Sequence, residues 1–454
     1  MFNKILIANR GEIAVRIIRA CREMKIKTVA VYSTADAESL PVQMADEAVC
    51  IGPPAPRDSY LNAPNIISAA HITGADAIHP GIGFLSERSN FAEAVEACGI
   101  TFIGPSGASM DRMGDKSIAR ETMQRAGVPV VPGGTFTTAQ EALELAKKIG
   151  FPLLVKASFG GGGRGIRSVQ NEEELPRAIE IASNEAASAF GSGDVYLEKF
   201  IEEPRHIEVQ VIGDKHGHAV HLGERDCSIQ SLRRQKIVEE APAANLTPAL
   251  RNRLGDAAVR AAKAVGYSGA GTIECLVDKH GNFYFMEMNK RLQVEHCITE
   301  MVTGVDIVKT QILVASGEKL PFTQKEIRPN GHSIEVRINA EDPERNFAPS
   351  AGKIEKAILP GGLGVRVDTH IYSGYEVPPY YDSLLAKVIV WGKDRDDAIS
   401  RAQRCLMEME VVGVKTNIAF CQKILSNAYF RRGEYTTDFL QRRILSEMSA
   451  TVSA

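Results

Sequence analysis

Hydrophobic and polar residues follow two rhythms along this chain, and the changes of rhythm mark its elements. Lys4 to Ala8 (KILIA) is a short apolar run, and Gly11 then opens EIAVRIIRACREM. There Ile13, Ile17 and Ala20 or Cys21 recur at three- and four-residue spacing, which puts them on one face of a helix. The β-rich run KTVAVY follows, completing a βαβ unit of the doubly wound kind. The pattern continues through ADEAVCIG, NIISAAHITG, DAIHPG and ITFIGPS, so residues 1–115 read as an N-terminal parallel-sheet domain. The one glycine at the first turn does not make GxGxxG; a tight strand-to-helix turn explains it without a dinucleotide.

Pro129, Pro132, Gly133 and Gly134 then break the chain and predict a hinge. Beyond them lie a helix (AQEALELAKKIG), a buried strand (FPLLVKAS), a glycine run, another helix and the strand DVYLEKF. This stretch, about 132–203, has the make-up of a small mobile α/β lid within a second domain, 116–330. From Arg205 onward antiparallel strands and hairpins dominate. A third segment, 331–446, opens with alternating strands (SIEVRINA, KIEKAIL, VRVDTHI) and closes with helices. The fold class is therefore mixed, α/β followed by α+β.

A chain of 454 residues exceeds one ordinary core, which fits several domains. Its 44% hydrophobic and 24% charged content is that of a globular protein, and a formal charge of -3 gives no general attraction to nucleic acid or an anionic membrane. The N-terminal apolar run is too short for a secretory signal, and no stretch nears the ~20 residues of a membrane span. Eight cysteines (21, 50, 98, 227, 275, 297, 405 and 421) form no CxxC pair and read as reduced thiols. A cytoplasmic protein is expected.

The richest stretch is TIECLVDKHGNFYFMEMNKRLQVE, residues 272–295. A hairpin turning at His280-Gly281 would set Glu274 opposite Glu287, Leu276 opposite Phe285 and Thr272 opposite Asn289. Facing carboxylates repel, so a cation belongs between them; magnesium, which takes one or two carboxylates plus phosphate and water oxygens, suits. Glu287, Asn289, Arg291, Gln293 and Glu295 then occupy alternate positions. Eight strand steps would span ~26 Å, so either the set serves a line of groups or the chain bends. An exposed, salt-bridged strand is the bland alternative. Upstream, Lys156 ends a buried strand just before Gly160-Gly-Gly-Gly163-Arg-Gly165. Successive glycine N–H groups can wrap phosphate and a lysine adds a point charge, although a flexible linker would look the same. The spacing is not that of a Walker loop. Lys116, in MGDKS, is a second candidate phosphate lysine.

A lysine and glycine-rich lid ahead of Glu…Glu-x-Asn resembles the ATP-grasp superfamily. The strings ANRGEIAVRIIRA, HPGIGFLSE, KASFGGGGRGIRSV, ERDCSIQ, EEAPA, EMNKRLQVEH, RINAEDP and PPYYDS narrow the resemblance to the biotin carboxylases over residues 2–445. It implies that Glu274 and Glu287, with Asn289 close by, hold Mg or Mn on ATP, while Lys116, Lys156 and Gly161, Gly162 and Gly163 bind the phosphates. Glu198, Lys199 and Ile201 would meet adenine, and His206 and Gln230 the ribose side. Lys236, Arg291, Gln293 and Val294 would cradle bicarbonate, and Glu295 would deprotonate it. Attack on the γ-phosphate would give carboxyphosphate, which breaks to carbon dioxide and phosphate; phosphate would take the ureido proton of biotin, and Arg337 would stabilise the enolate.

The resemblance also implies partners. The nearest attachment motif, Met24-Lys25-Ile26, falls at a helix end, so Lys25 reads as a surface lysine. Biotin is thus expected on a separate biotin carboxyl carrier protein, with a carboxyltransferase beyond it serving an acyl-CoA or keto acid. The helix with Arg19 and Glu23 resembles the family's dimer contact, which implies a homodimer. The chain departs from the pattern at Ile82 (usually tyrosine), Arg88 and Ser89, Lys290 (usually threonine) and Cys297 (usually proline). CSIQSLRRQK is one residue longer than usual across Ser231–Arg234, which reverses the side chains that face the site, Lys236 among them, unless a bulge absorbs it. These departures leave two explanations, an ordinary biotin carboxylase with tolerated changes or a homologue whose acceptor binds differently or hardly at all. Two other classes compete: an ATP-grasp ligase joining a carboxylate to an amine, and a non-catalytic binding or scaffolding subunit.

Overall fold

The computed structural model describes residues 1–158, 166–231 and 234–446. Five parallel strands, β1 (Lys4–Ile7), β2 (Lys27–Ser33), β3 (Glu47–Gly52), β4 (Ala77–His79) and β5 (Thr101–Phe102), pair in the order β3-β2-β1-β4-β5. The helix Gly11–Glu23 buries Ile13, Ile17, Ala20 and Cys21 against this sheet, the face its spacing predicts. Lys25 follows the helix end, exposed and at φ 60°, as the surface reading expects. All eight cysteines are free, and six are buried.

A four-stranded antiparallel sheet with two helices, Ala139–Ile149 and Leu175–Phe190, follows. Its strands β6 (Gly133–Thr135), β7 (Leu153–Ala157), β8 (Ile166–Val169) and β9 (Val195–Lys199) order as β6-β9-β7-β8. Two expectations change here. Gly133 and Gly134 are not a break but strand β6, and Ile166–Val169 is a strand that the sequence reading passed over. Glycine is needed in β6 because a Cβ on Gly133 would lie 2.2 Å from the Leu197 carbonyl oxygen of β9.

The third sheet is antiparallel and has eight strands. In chain order they are β10 (Arg205–Gly213), β11 (Ala219–Gln230), β12 (Lys236–Ala241), β13 (Gly269–Val277), β14 (Phe283–Asn289), β15 (His332–Asn339), Val365–Thr369 and Leu384–Gly392. In space the order is β14-β13-β10-β11-β12-β15, then Leu384–Gly392, then Val365–Thr369. The β12–β15 pairing carries the sheet without interruption from the middle of the chain into its last third. One face packs on the helices Arg395–Glu408 and Ile418–Ser426, which hide Ile399, Leu406 and Phe420 against Val336, Ile338 and Val388. KIEKAIL is not one strand; Gly352–Lys353 and Lys356–Ile358 pair with different partners. No helix among the described residues is long and apolar enough to cross a membrane.

Candidate active site

Three glutamates stand in a row across the middle of the large sheet: Glu208 on β10 pairs with Glu274 on β13, which pairs with Glu287 on β14. The expected Glu274–Glu287 and Thr272–Asn289 registers hold. Below them the ladder slips by one, so Leu276 faces Tyr284 and Cys275 faces Phe285, not Leu276 Phe285. A bulge at Met286 takes up the extra residue while keeping both acids opposed.

The chain after Asn289 is not strand, so the bend is the alternative the structure takes. Leu292 is fully buried among Ile5, Ile7 and Ile17 of the first layer, and the Lys290 amide donates to Glu87. The helix His296–Thr303 then starts immediately behind Glu295. This bend returns Gln293 and Glu295 to the acids of the sheet. Gln293 donates to Glu274 (3.0 Å), and the Lys236 ammonium donates to Glu208 (2.7 Å), Glu274 (3.1 Å) and Glu295 (2.6 Å). The β11–β12 ladder is irregular around Ile229 and sets Lys236 opposite Gln230; Leu232 and Arg233 of the longer stretch lie outside the described residues. Arg337 donates to Glu239 (2.6 Å) and Glu295 (2.8 Å).

Charge is shared unevenly. Burial alone would lower the Lys236 ammonium, but the three glutamates raise it well above its ordinary value. Burial pushes the Glu295 carboxyl up, yet Lys236, Arg337 and Arg225 hold it well below the usual range. Glu274 is likewise held low against burial, by Lys236 and His206. Glu287 goes the other way, raised by burial and by Glu274. It has no hydrogen-bond or ion-pair partner among the described residues and opens toward solvent. An unpartnered carboxylate facing an ionised one, with the Asn289 amide on Glu274 (2.8 Å), is a donor set that fits a hard divalent cation.

The remaining candidates take these places. His206 lies between Gln230 (2.9 Å) and Glu274 (3.2 Å); burial lowers its imidazole, but Glu274 and Glu208 together bring it above its ordinary value. Lys156 pairs with Glu198 (2.7 Å), and Lys116, lowered by burial and then by Lys156, sits in the fields of Glu287 and Glu198. Lys199 gives its ammonium to the carbonyls of Gly150 (3.1 Å) and Phe151 (2.8 Å), and Ile201 follows β9 half-buried. Arg291 is held by Glu87 (2.9 Å) and Asn289 (3.1 Å), and Val294 lends its carbonyl to Lys387 (2.7 Å). Gly161, Gly162 and Gly163 lie outside the described residues.

Sequence reasoning missed Arg225, Glu208 and Glu87. Arg225 is fully buried and donates to Glu208, Gln210, Thr299, Thr272 and Gln293, a partner for each of its five N–H groups. The polar alternation His206, Glu208, Gln210 inside HIEVQVIG was the available signal. Beside the cluster a cavity of about 380 Å³ is lined by Lys236, Val294, Arg337, Ile82, Tyr381 and Arg10. Of the departures, Ile82 therefore lines this cavity. Lys290 is buried with its ammonium on the Met110 carbonyl (3.1 Å), and Arg88 and Ser89 open the helix Ser89–Ala97. Cys297 is buried between Asp368 (3.1 Å) and Lys387 (3.1 Å).

A parallel-sheet domain, a four-stranded sheet with two helices, and a larger sheet presenting facing acids and lysines define an ATP-grasp ligase. Comparison narrows this. Residues 1–110 match the biotin carboxylase N-terminal domain, 115–323 the ATP-binding domain of the carbamoyl-phosphate synthase L chain, and 335–442 the biotin carboxylase C-terminal domain. The chain is 56% identical to biotin carboxylase 1 of Bacillus subtilis, over 97% of this chain and 98% of that one. The Campylobacter jejuni biotin carboxylase–β,γ-ATP complex superposes at TM-score 0.94 with 52% identity, covering 98% and 99% of the two chains. The biotin carboxylase domain dimer of Hydrogenobacter thermophilus 2-oxoglutarate carboxylase, with MgADP, ADP and bicarbonate, superposes at 0.91 with 54% identity, covering 97% of each. The chain belongs to the biotin carboxylase family.

Proposed function

We propose that this protein carboxylates biotin at the expense of ATP and bicarbonate, through carboxyphosphate. The observation that carries the reading is the convergence of Lys236 and Arg337, which line the cavity, on the buried Glu295 beside the Glu274–Glu287 pair. Glu295 is ionised, as a base must be, but its two cations make it a weak one. An incoming bicarbonate competes for Lys236, whose three hydrogens all lie on carboxylates; each contact it wins leaves Glu295 less neutralised and more basic. The proton of bicarbonate passes to Glu295, and the freed oxygen attacks the γ-phosphorus as ADP leaves. Lys116 and Lys156 would offset charge on the transferring phosphoryl group. A divalent ion held by Glu274 and Glu287, with Asn289 close by, would supply further neutralisation of that charge. Arg337 faces the cavity where the ureido group of biotin would lie and is placed to stabilise its enolate.

The geometry favours this over carboxylate–amine ligation, because the base sits against two cations suited to a small anion. It favours it over a silent binding subunit, because Lys236 and Arg337 both bond Glu295 and Glu239 in turn holds Arg337. In this reading biotin arrives on a separate carrier protein, a carboxyltransferase takes the product, two copies form a homodimer, and the protein works in the cytoplasm. ATP cleavage measured against bicarbonate, with free biotin present or absent, tests the core of it. The expected result is cleavage that depends on bicarbonate and rises with biotin; cleavage indifferent to bicarbonate would overturn the reading.

A further inference from the structure

Strands β12 and β15 set a second pair of acids face to face, Glu239 opposite Glu335. Both are completely buried. Glu239 uses one oxygen, Oε1, to accept from Arg337 Nε; its Oε2 and both oxygens of Glu335 have no hydrogen-bond partner among the described residues. Unlike Glu287, neither acid of this pair has exposed surface.

The groups facing the pair can be named. Arg337 lies two residues along β15 from Glu335, on the same face. Lys387, from the neighbouring strand, stands opposite Arg337 and is fully buried, with its ammonium on the Val294 carbonyl, Cys297 and Glu12 (3.3 Å). Glu295, Lys236, Cys227 on β11 and Cys421 on the helix Ile418–Ser426 complete the surroundings. Two carboxylates opposed in a dry core cannot both be charged, because the energy of like charges at low dielectric exceeds that of holding one proton. The partners decide which holds it. Glu239 is hydrogen-bonded to a guanidinium and Glu335 to nothing, so the proton belongs on Glu335 and the charge on Glu239. The directions agree: burial raises Glu335 well above the ordinary range, while Glu239, raised by burial but lowered by Arg337, comes to about 7.

We propose that Glu239 and Glu335 hold one proton between them and together position Arg337. Glu239 grips the Nε edge so that the Nη2 edge meets Glu295 at the acceptor cavity. Protonated Glu335 keeps a third carboxylate from neutralising the guanidinium, which stays available to a developing enolate. Both are positioning residues, since neither touches the reacting atoms. The role in turnover rests on the proposed carboxylation.

The test uses the full-length protein and its Glu335→Gln and Glu239→Gln variants. The first readout is the infrared C=O stretch of a protonated carboxylic acid in the wild type minus Glu335→Gln difference spectrum. A band is expected there, and superimposable spectra would overturn the shared proton whether or not the protein turns over. The second is the pH profile of free-biotin carboxylation. Glu335→Gln, a neutral copy of the protonated acid, should keep kcat within about 2-fold at neutral pH and lose the alkaline fall that the wild type shows as the pair gives up its proton. Glu239→Gln should lower kcat about 10-fold or more while leaving KM for ATP unchanged, because a charge-assisted bond becomes a neutral one. Wild-type kcat in Glu239→Gln, or an unchanged alkaline limb in Glu335→Gln, would refute the positioning role. A wild-type protein without bicarbonate-dependent ATP cleavage would instead remove the functional reading and leave the infrared comparison to decide the pair.

Discussion

Glu274 and Glu287 are the same residue type on neighbouring strands, yet their surroundings drive them apart. Glu274 accepts from Lys236, Asn289 and Gln293, whereas Glu287 accepts no hydrogen bond among the described residues and meets its neighbours only through charge, repelled by Glu274 and attracted less by Lys116, His206 and Lys156. The first is therefore built into the fold, and the second is the one the proposed reading gives to the divalent ion. Glu287→Gln should cut bicarbonate-dependent ATP cleavage about 100-fold or more through loss of the divalent ion. In metal-free buffer the same variant should unfold in urea no earlier than the wild type, with a gain of about 0.2–1 kcal/mol from relieved repulsion. A loss of stability would mean that Glu287 has a structural partner. The opposed pair was legible because a period of two survives any turn that keeps both acids on one face. The slip below it was not, since a bulge at Met286 leaves the apolar pattern of FYFMEM intact. Arg225 and Glu208 were hidden for another reason: charged residues at alternate strand positions read as a wet face, and here that face is closed over.

Elements are joined across the site by charge as well as by apolar packing. Glu300, on the helix His296–Thr303, accepts from Arg16 (2.9 Å) on the helix Gly11–Glu23 and from Arg366 (2.7 Å) on the strand Val365–Thr369. Burial would raise its carboxyl, but Arg16, His296 and Arg366 bring it down to about 2. A folded value below the unfolded one gives stability that is whole above about pH 4.5 and lost as pH falls toward 2. The difference corresponds to roughly 3 kcal/mol. Glu300→Gln should therefore be less stable by about that amount at pH 7 and match the wild type near pH 2, read by urea unfolding across pH. A pH-independent gap would point to packing instead. In the smaller sheet, Gly133→Ala should cost about 1–3 kcal/mol through its contact with the Leu197 carbonyl. Amide exchange should speed up in β6 and β9 while β10 to β15 keep their protection. The parallel strands of the first 115 residues and the helices Gly11–Glu23 and Ala63–Thr73 were legible from the apolar pattern, whereas Ser89–Ala97 and Gly107–Gly114 were not read. Strand β6 was not, because paired glycines signal a break unless the close approach of a neighbouring strand is known.

At the scale of the whole molecule, exposed apolar side chains such as Met1, Ile72 and Ile118 are scattered, but five of them fall in one region of the last third. Leu363 is 88% exposed and Met407 72%, with Ile358, Leu359 and Val412 also exposed. They are close in space: Lys356–Ile358 pairs with Glu410–Val412, and Arg404, on the helix that carries Met407, donates to the Gly361 carbonyl (3.0 Å). A monomer gains nothing from presenting a contiguous apolar patch to water, whereas a second copy could bury it. On the homodimer proposed above, Leu363→Asp should shift the sedimentation coefficient from dimer to monomer at micromolar concentration. Its urea midpoint, measured on the monomer, should stay put, because a side chain this exposed contributes little to its own subunit. An unaltered sedimentation profile would move the interface elsewhere, with the exposed Arg19 on the helix Gly11–Glu23 as the next position to reverse. Glu23 is less suited to that test, since its carboxylate already pairs with Lys309 of the same chain.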